Sequence, residues 1–355
     1  MRVYQLDWIR TAAIACVILC HVTELVYGGD ALSFASMPIR SRLVAFSFFC
    51  IGRLGVPLFL FLSGYLLLKK EYNIEGVKHF YKNNLLPLLF IWMLWSVFYN
   101  VYNFAVRGIP LSFEEIASNV FFLKMVDMPH SWYMPMIIGL YIFIPYVANI
   151  LQKLGSKGIL CLLSLLFLNY FIIPFVKFYA GDNAIYINGL FDLSFGGGIY
   201  GCYIILGYCI YRYRKILQVI FSQKLFTLFW CLLIVLVFIL QIVIGCIYSK
   251  NGYILWYDSP LIILDGFFFF FFIFTRVSNR ENHNVSYMLS SQSFGVFLLH
   301  VMPLYLFQNT SYWSHSRWLF CVGLTFAIFV FCNLCIWVTS KVSPRVCYNL
   351  YLLKT

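Results

Sequence analysis

Residues 6–25 read LDWIRTAAIACVILCHVTEL. The stretch is apolar along most of its length and close to the ~20 residues a helix needs to cross a bilayer. It starts almost at the first residue and carries no small-residue cleavage site, so a retained signal anchor is expected. Yet it holds Asp7, Arg10, His21 and Glu24. Ionisable groups at membrane depth are expensive, and each marks a candidate function.

The rest of the chain repeats the apolar pattern. Hydrophobic residues make up 62%, charged residues 11%, and the mean hydropathy is +0.85. A soluble domain of this size would carry more than twice that charge, roughly 25%, so lipid must cover much of the surface. Windows bounded by charge, Gly or Pro predict an all-α polytopic membrane bundle of about ten transmembrane helices. The spans are residues 8–27, 43–68, 85–106, 131–151, 158–178, 194–211, 225–248, 259–275, 286–308 and 318–339. Strand-like alternation is absent, which argues against a barrel. No linker divides the chain, so residues 1–355 are read as one domain.

Lys and Arg fall mainly in alternate connections. Arg2, Lys69, Lys70, Lys78, Lys82, Lys153, Lys157, Arg212, Arg214, Lys215, Lys224, Arg276, Arg280, Lys341, Arg345 and Lys354 lie on one side. Arg40, Arg42, Arg107, Lys124, Lys177, Lys250 and Arg317 lie on the other. The excess puts both termini in the cytoplasm. It also accounts for most of the +12 net charge, leaving no case for nucleic acid as a partner. Most cysteines lie inside apolar runs as small hydrophobes. Cys332 and Cys335 form the only CxxC, without a second pair, and no zinc-type spacing, GxSxG elbow or phosphate-cradling glycine loop occurs. No metal is expected.

In the first span Arg10 and His21 are eleven positions apart, which places them on one helix face ~16 Å apart along the axis. Asp7 and Glu24 sit at spacings of three from them, on nearby faces. Imidazole is suited to taking a proton from a hydroxyl near neutral pH, and Glu24 could orient it. The plainer alternative has Arg10 snorkelling to headgroups, His21 hydrogen-bonding between helices and Glu24 at the interface. The second span runs from Arg53 through Ser63, Gly64 and Tyr65, where small residues suit a packing seam as well as a site. Asp265, mid-span, needs a partner, with Arg53 or a histidine as the candidates. The phenylalanine run from Phe267 to Phe272 is lipid-compatible, with no chemistry assigned. His79, His283 and His315 are expected in solvated loops.

Taken together, four segments resemble the acyltransferase-3 family. These are LDWIRTAAIACVILCH with its Arg10-to-His21 spacing, RLGVPLFLFLSGYLL (53–67), HSWYMPMIIGLYIFIP (130–145) and SFGVFLLH (293–300). The resemblance covers most of the chain. It implies a bacterial inner-membrane enzyme that moves an acyl group, usually acetyl, from cytoplasmic acyl-CoA to a hydroxyl. The acceptor implied is a lipid-linked or surface glycan such as an O-antigen sugar. His21 would be general base or transient acyl carrier, and Arg10 would hold donor phosphate or the developing oxyanion. Arg53, Ser63, Tyr65, Trp132, Tyr133 and His300 are candidate substrate-binding residues, with His300 able to line the same cavity and the aromatics able to stack on sugar. An aromatic belt is the alternative for Trp132, Tyr133 and His130. One departure stands out. Family members often carry two arginines three apart before the third span, where HFYKNNLLPLLF here has Asn84 and Pro87. Lys78 and Lys82 are the substitutes for donor binding. No bound cofactor is implied, since acetyl-CoA is a substrate. The rivals are an O-antigen polymerase or other glycan-handling protein, and a transporter or flippase, which would show broken helices in two related halves.

Overall fold

Several helix breaks in this chain lie at prolines, although Pro145 sits inside the unbroken helix Tyr133–Lys153. The computed structural model describes residues 3–28, 36–180, 197–222, 224–247, 256–277, 284–308 and 316–352, and among these every regular element is helical. Pro57 has no N–H for the Arg53 carbonyl four residues back, and its ring crowds that carbonyl. The second span is accordingly two helices, α2 (Ile39–Gly52) and α3 (Gly55–Leu67), meeting at Arg53 and Leu54. Pro87 and Pro174 act through π-helical turns at Tyr81–Leu85 and Leu168–Ile172. Pro303 ends a helix at Leu299, so that His300 stands in the break.

The chain divides into two compact units, Met1–Lys70 with Ala148–Ser290, and Glu71–Val147 with Ser291–Thr355. In the first unit α1 (Tyr4–Tyr27) packs on α2 and α3. Gly52 and Gly55 permit this: a Cβ at Gly52 would lie 2.8 Å from Cys20 Cα, and one at Gly55 2.7 Å from the Ala13 carbonyl oxygen. A second close approach joins α3 to the helix Gly198–Arg212, where Gly64 lies on the Ile204 backbone and Gly207 on the Phe61 backbone. The small-residue part of the SGY segment therefore works as a packing seam. The unit also holds the helical stretch 156–180 and the helices Arg214–Ser222, Lys224–Ile247 and Pro260–Arg276. Phe270 and Phe271 are fully buried while Phe272 is exposed, so the phenylalanine run supplies core as well as lipid-facing surface.

In the second unit the helix Leu86–Arg107 packs on Phe113–Val120 and on Pro344–Tyr351, where Trp95 Nε1 donates to the Leu350 carbonyl at 2.8 Å. Arg317–Val342 folds back on the same short helix, with Cys347 against it.

Six helices among the described residues are long and apolar enough to cross a bilayer: Tyr4–Tyr27, Ile39–Leu67, Ile74–Arg107, Tyr133–Lys153, Ser156–Tyr179 and Arg317–Val342. The other four expected spans coincide with helices that are shorter or only partly described. Leu228, Leu232, Val235, Ile239 and Val243 form an exposed stripe at helical spacing, as a lipid-facing wall requires.

Candidate functional site

On α1, His21 and Glu24 are one turn apart and meet. His21 Nδ1 lies 2.7 Å from Glu24 Oε2. A carboxylate accepts only, so Nδ1 carries the proton and the lone pair of the neutral ring is on Nε2. The second carboxylate oxygen, Oε1, accepts from Arg53 Nη2 at 3.0 Å and from the Cys20 thiol at 3.8 Å. Arg53 is buried, with its guanidinium carbon 5.0 Å from the Trp256 ring centroid and 5.8 Å from those of Phe49 and Tyr257. Its side chain also hydrogen-bonds Tyr257. Among the described residues the buried Nε of Arg53 has no hydrogen-bond partner. Trp256 is 52% exposed and covers this cation from outside. The kink at Pro57 and the close fit of Gly52 on Cys20 together bring Arg53 to Glu24.

Arg10 belongs to a second network on the same helix. Its Nη1 donates to Ser290 Oγ at 3.0 Å, and Ser290 Oγ donates to Asp7 Oδ1 at 2.8 Å. Arg10 and Asp7 themselves approach to 3.9 Å. Ser290 is buried, and sequence reading passed over it because an isolated serine in an apolar run usually bonds its own helix backbone.

The remaining candidates spread more widely. Ser63 is half-buried and donates to the Phe59 carbonyl at 3.0 Å, and Tyr65 is buried edge-to-face on Tyr211. Among the described residues Asp265 takes neither Arg53 nor a histidine. With the Gln241 amide oriented so that its nitrogen faces the carboxylate, Gln241 donates to Asp265 Oδ2 at 2.9 Å. Lys78 and Lys82 are on a helical extension, Ile74–Phe80 and Tyr81–Leu85, and not in a loop. Lys78 is exposed and paired with Glu75 at 2.9 Å. His79 is exposed on that helix, beside Asn83, while His283 and His315 lie outside the described residues.

In the second unit His300 Nδ1 donates to the Phe297 carbonyl at 2.7 Å, and its ring lies 5.1 Å from that of His130. His130 Nε2 is 2.9 Å from the Tyr99 hydroxyl, which donates to the Leu298 carbonyl at 2.7 Å. Both histidines are buried. Trp132 and Tyr133 are half-buried, with Tyr133 5.2 Å from Phe297. An apolar groove in the first unit, formed by Leu163, Phe167, Cys202, Leu206, Leu264 and Phe267, is lined by no carboxylate, histidine, lysine or arginine.

His21, Glu24 and Arg53 thus form one hydrogen-bonded group. A family model described as an acyltransferase domain matches residues 3–337, nearly the whole chain. The chain belongs to the acyltransferase-3 family. As a family member it is a multi-pass membrane protein with acyltransferase character. No curated protein and no solved structure matches the chain.

Proposed function

We propose that this acyltransferase-3 member is a membrane O-acyltransferase of the bacterial inner membrane, moving acetyl from cytoplasmic acetyl-CoA to a hydroxyl of a lipid-linked or surface sugar such as O-antigen. The 2.7 Å contact between His21 Nδ1 and Glu24 Oε2 carries this reading. It fixes the tautomer, so that Nε2 accepts the proton of the attacking hydroxyl. The hydroxyl oxygen forms the new ester bond at the acyl carbonyl carbon, the carbon–sulfur bond breaks, and the imidazolium returns its proton to the leaving thiolate. Glu24 steadies the imidazolium, and Arg53 holds Glu24 aimed from its other oxygen. Arg10 at the other end of the helix serves donor phosphate or the oxyanion. With both termini cytoplasmic, His21 lies in the outer half of the first span, where a displayed acceptor reaches it.

The test is expression of the parent chain and His21→Ala in a host with a defined surface glycan, with mass spectrometry for ester-linked acetyl. Loss of acetyl in the variant at equal protein level is expected. Unchanged acetylation overturns the chemistry, and a change in glycan chain length without acetylation favours a polymerase.

A further inference from the structure

Four cations gather at one end of the first unit. Lys69 and Lys70 follow α3, and Arg212 and Arg214 flank Tyr213 where Gly198–Arg212 gives way to Arg214–Ser222. Lys69 Nζ lies 5.5 Å from the Tyr211 ring centroid and 6.0 Å from that of Tyr65. The Arg214 guanidinium lies 4.3 Å from the same Tyr211 centroid, and its Nη1 donates to the Tyr211 carbonyl at 2.8 Å. One tyrosine thus faces both cations.

Arg212 has a structural duty. It donates to the carbonyls of Leu151 and Leu154 and to the Tyr208 hydroxyl. Of the other three, Arg214 makes one such bond, to the Tyr211 carbonyl. Among the described residues none of Lys69, Lys70 and Arg214 forms an ion pair with a carboxylate. Burial, then the charges of Lys70 and Arg214, push the Lys69 ammonium below its ordinary pKa. Like charges held together without a counter-charge repel, and an added anion relieves the repulsion.

We propose that Lys69, Lys70 and Arg214 form a binding site for a phosphate group. A guanidinium can take two phosphate oxygens at once, and the two ammoniums act as point charges beside it. Two sources share this chemistry: the phosphates of a soluble nucleotide-bearing molecule, and the headgroup of an anionic phospholipid. The site rests on charge and geometry and is independent of the acyltransfer reading.

Binding readouts that need no turnover test it. The full chain in phosphatidylcholine nanodiscs is titrated calorimetrically with inorganic pyrophosphate and with coenzyme A. In parallel, native mass spectrometry follows phosphatidylglycerol retained from mixed-lipid discs. The Lys69→Gln/Arg214→Gln double variant is expected to weaken soluble-phosphate binding at least about tenfold, or, where the source is lipid, to lose the retained phosphatidylglycerol. The charge-preserving Lys69→Arg/Arg214→Lys variant keeps binding, and Lys124→Gln, at an exposed lysine outside the cluster, leaves it unchanged. The proposal is overturned if the parent binds neither anion, or if the folded double variant binds as the parent does.

Discussion

Glu24 stands one helical turn beyond His21 and takes its Nδ1 at 2.7 Å, while its other oxygen takes Arg53 at 3.0 Å. A carboxylate held from both sides in this way has one orientation, and so has the imidazole it accepts from.

Glu24→Gln tests whether the charge matters beyond the hydrogen bond. Glutamine can still accept from Nδ1, but it does not stabilise an imidazolium. Acyl transfer by the variant is expected to fall about 100-fold in kcat, with the KM for both substrates within a few-fold. A kcat within twofold of the parent would remove Glu24 from the mechanism.

Arg53→Met leaves the Glu24 carboxylate with less compensation in a largely buried place. Breaking such a pair from one side costs roughly 3–5 kcal/mol, which detergent-solubilised thermal unfolding would report as a clearly lowered Tm. Adding Glu24→Gln to Arg53→Met should recover much of that loss, because the stranded charge is gone. A double variant as unstable as the sum of the two singles argues against the coupling.

Gly52→Ala probes the fit of α2 on α1. The new Cβ would fall 2.8 Å from both Cα and N of Cys20, so backbone must move. A loss of about 1–3 kcal/mol is expected, together with lowered activity as Arg53 shifts from Glu24. Cys20→Ala should not rescue it, since the clash is with main chain, and a rescue would place the fault elsewhere.

Asp258 gives a pH signature outside the spanning helices. Burial pushes its carboxyl up from 3.8 to about 6. Between these values Asp258 holds more proton in the folded chain than in the unfolded one, so its contribution to stability is fully present below pH 4 and is lost as pH rises through 6. Asp258→Asn removes that decline. Its Tm should match the parent's trend near pH 4 and exceed it increasingly toward pH 7.5. A gap that is constant with pH would contradict the shift.

Ser290→Ala cuts the bridge between Arg10 and Asp7. With acyl-CoA varied, a several-fold rise in KM is expected, and Ser290→Thr should restore it because the hydroxyl is kept. Equal effects of both substitutions would mean that packing, and not the hydroxyl, matters at this position.

Much of this protein is decided by local sequence. Apolar run length made the chain a membrane helix bundle, and helical spacing alone paired His21 with Glu24, since i and i+3 side chains meet in any α-helix. The prolines at 57, 87, 174 and 303 accompany breaks, through the missing N–H and the crowded carbonyl four residues back, whereas Pro145 sits inside an unbroken helix. Contacts between distant segments are another matter. Arg53 with Glu24, Ser290 with Arg10, Gln241 with Asp265 and Arg214 with Lys69 join residues whose meeting depends on which helices pack and in what register. Glycine contacts such as Gly52 on Cys20 set that register. No local pattern fixes the partner of a buried charge, so Asp265 could only be expected to need one. The sequence thus supplied the imidazole and its carboxylate on one helix. Packing alone decided that Arg53 would hold that carboxylate from the other side.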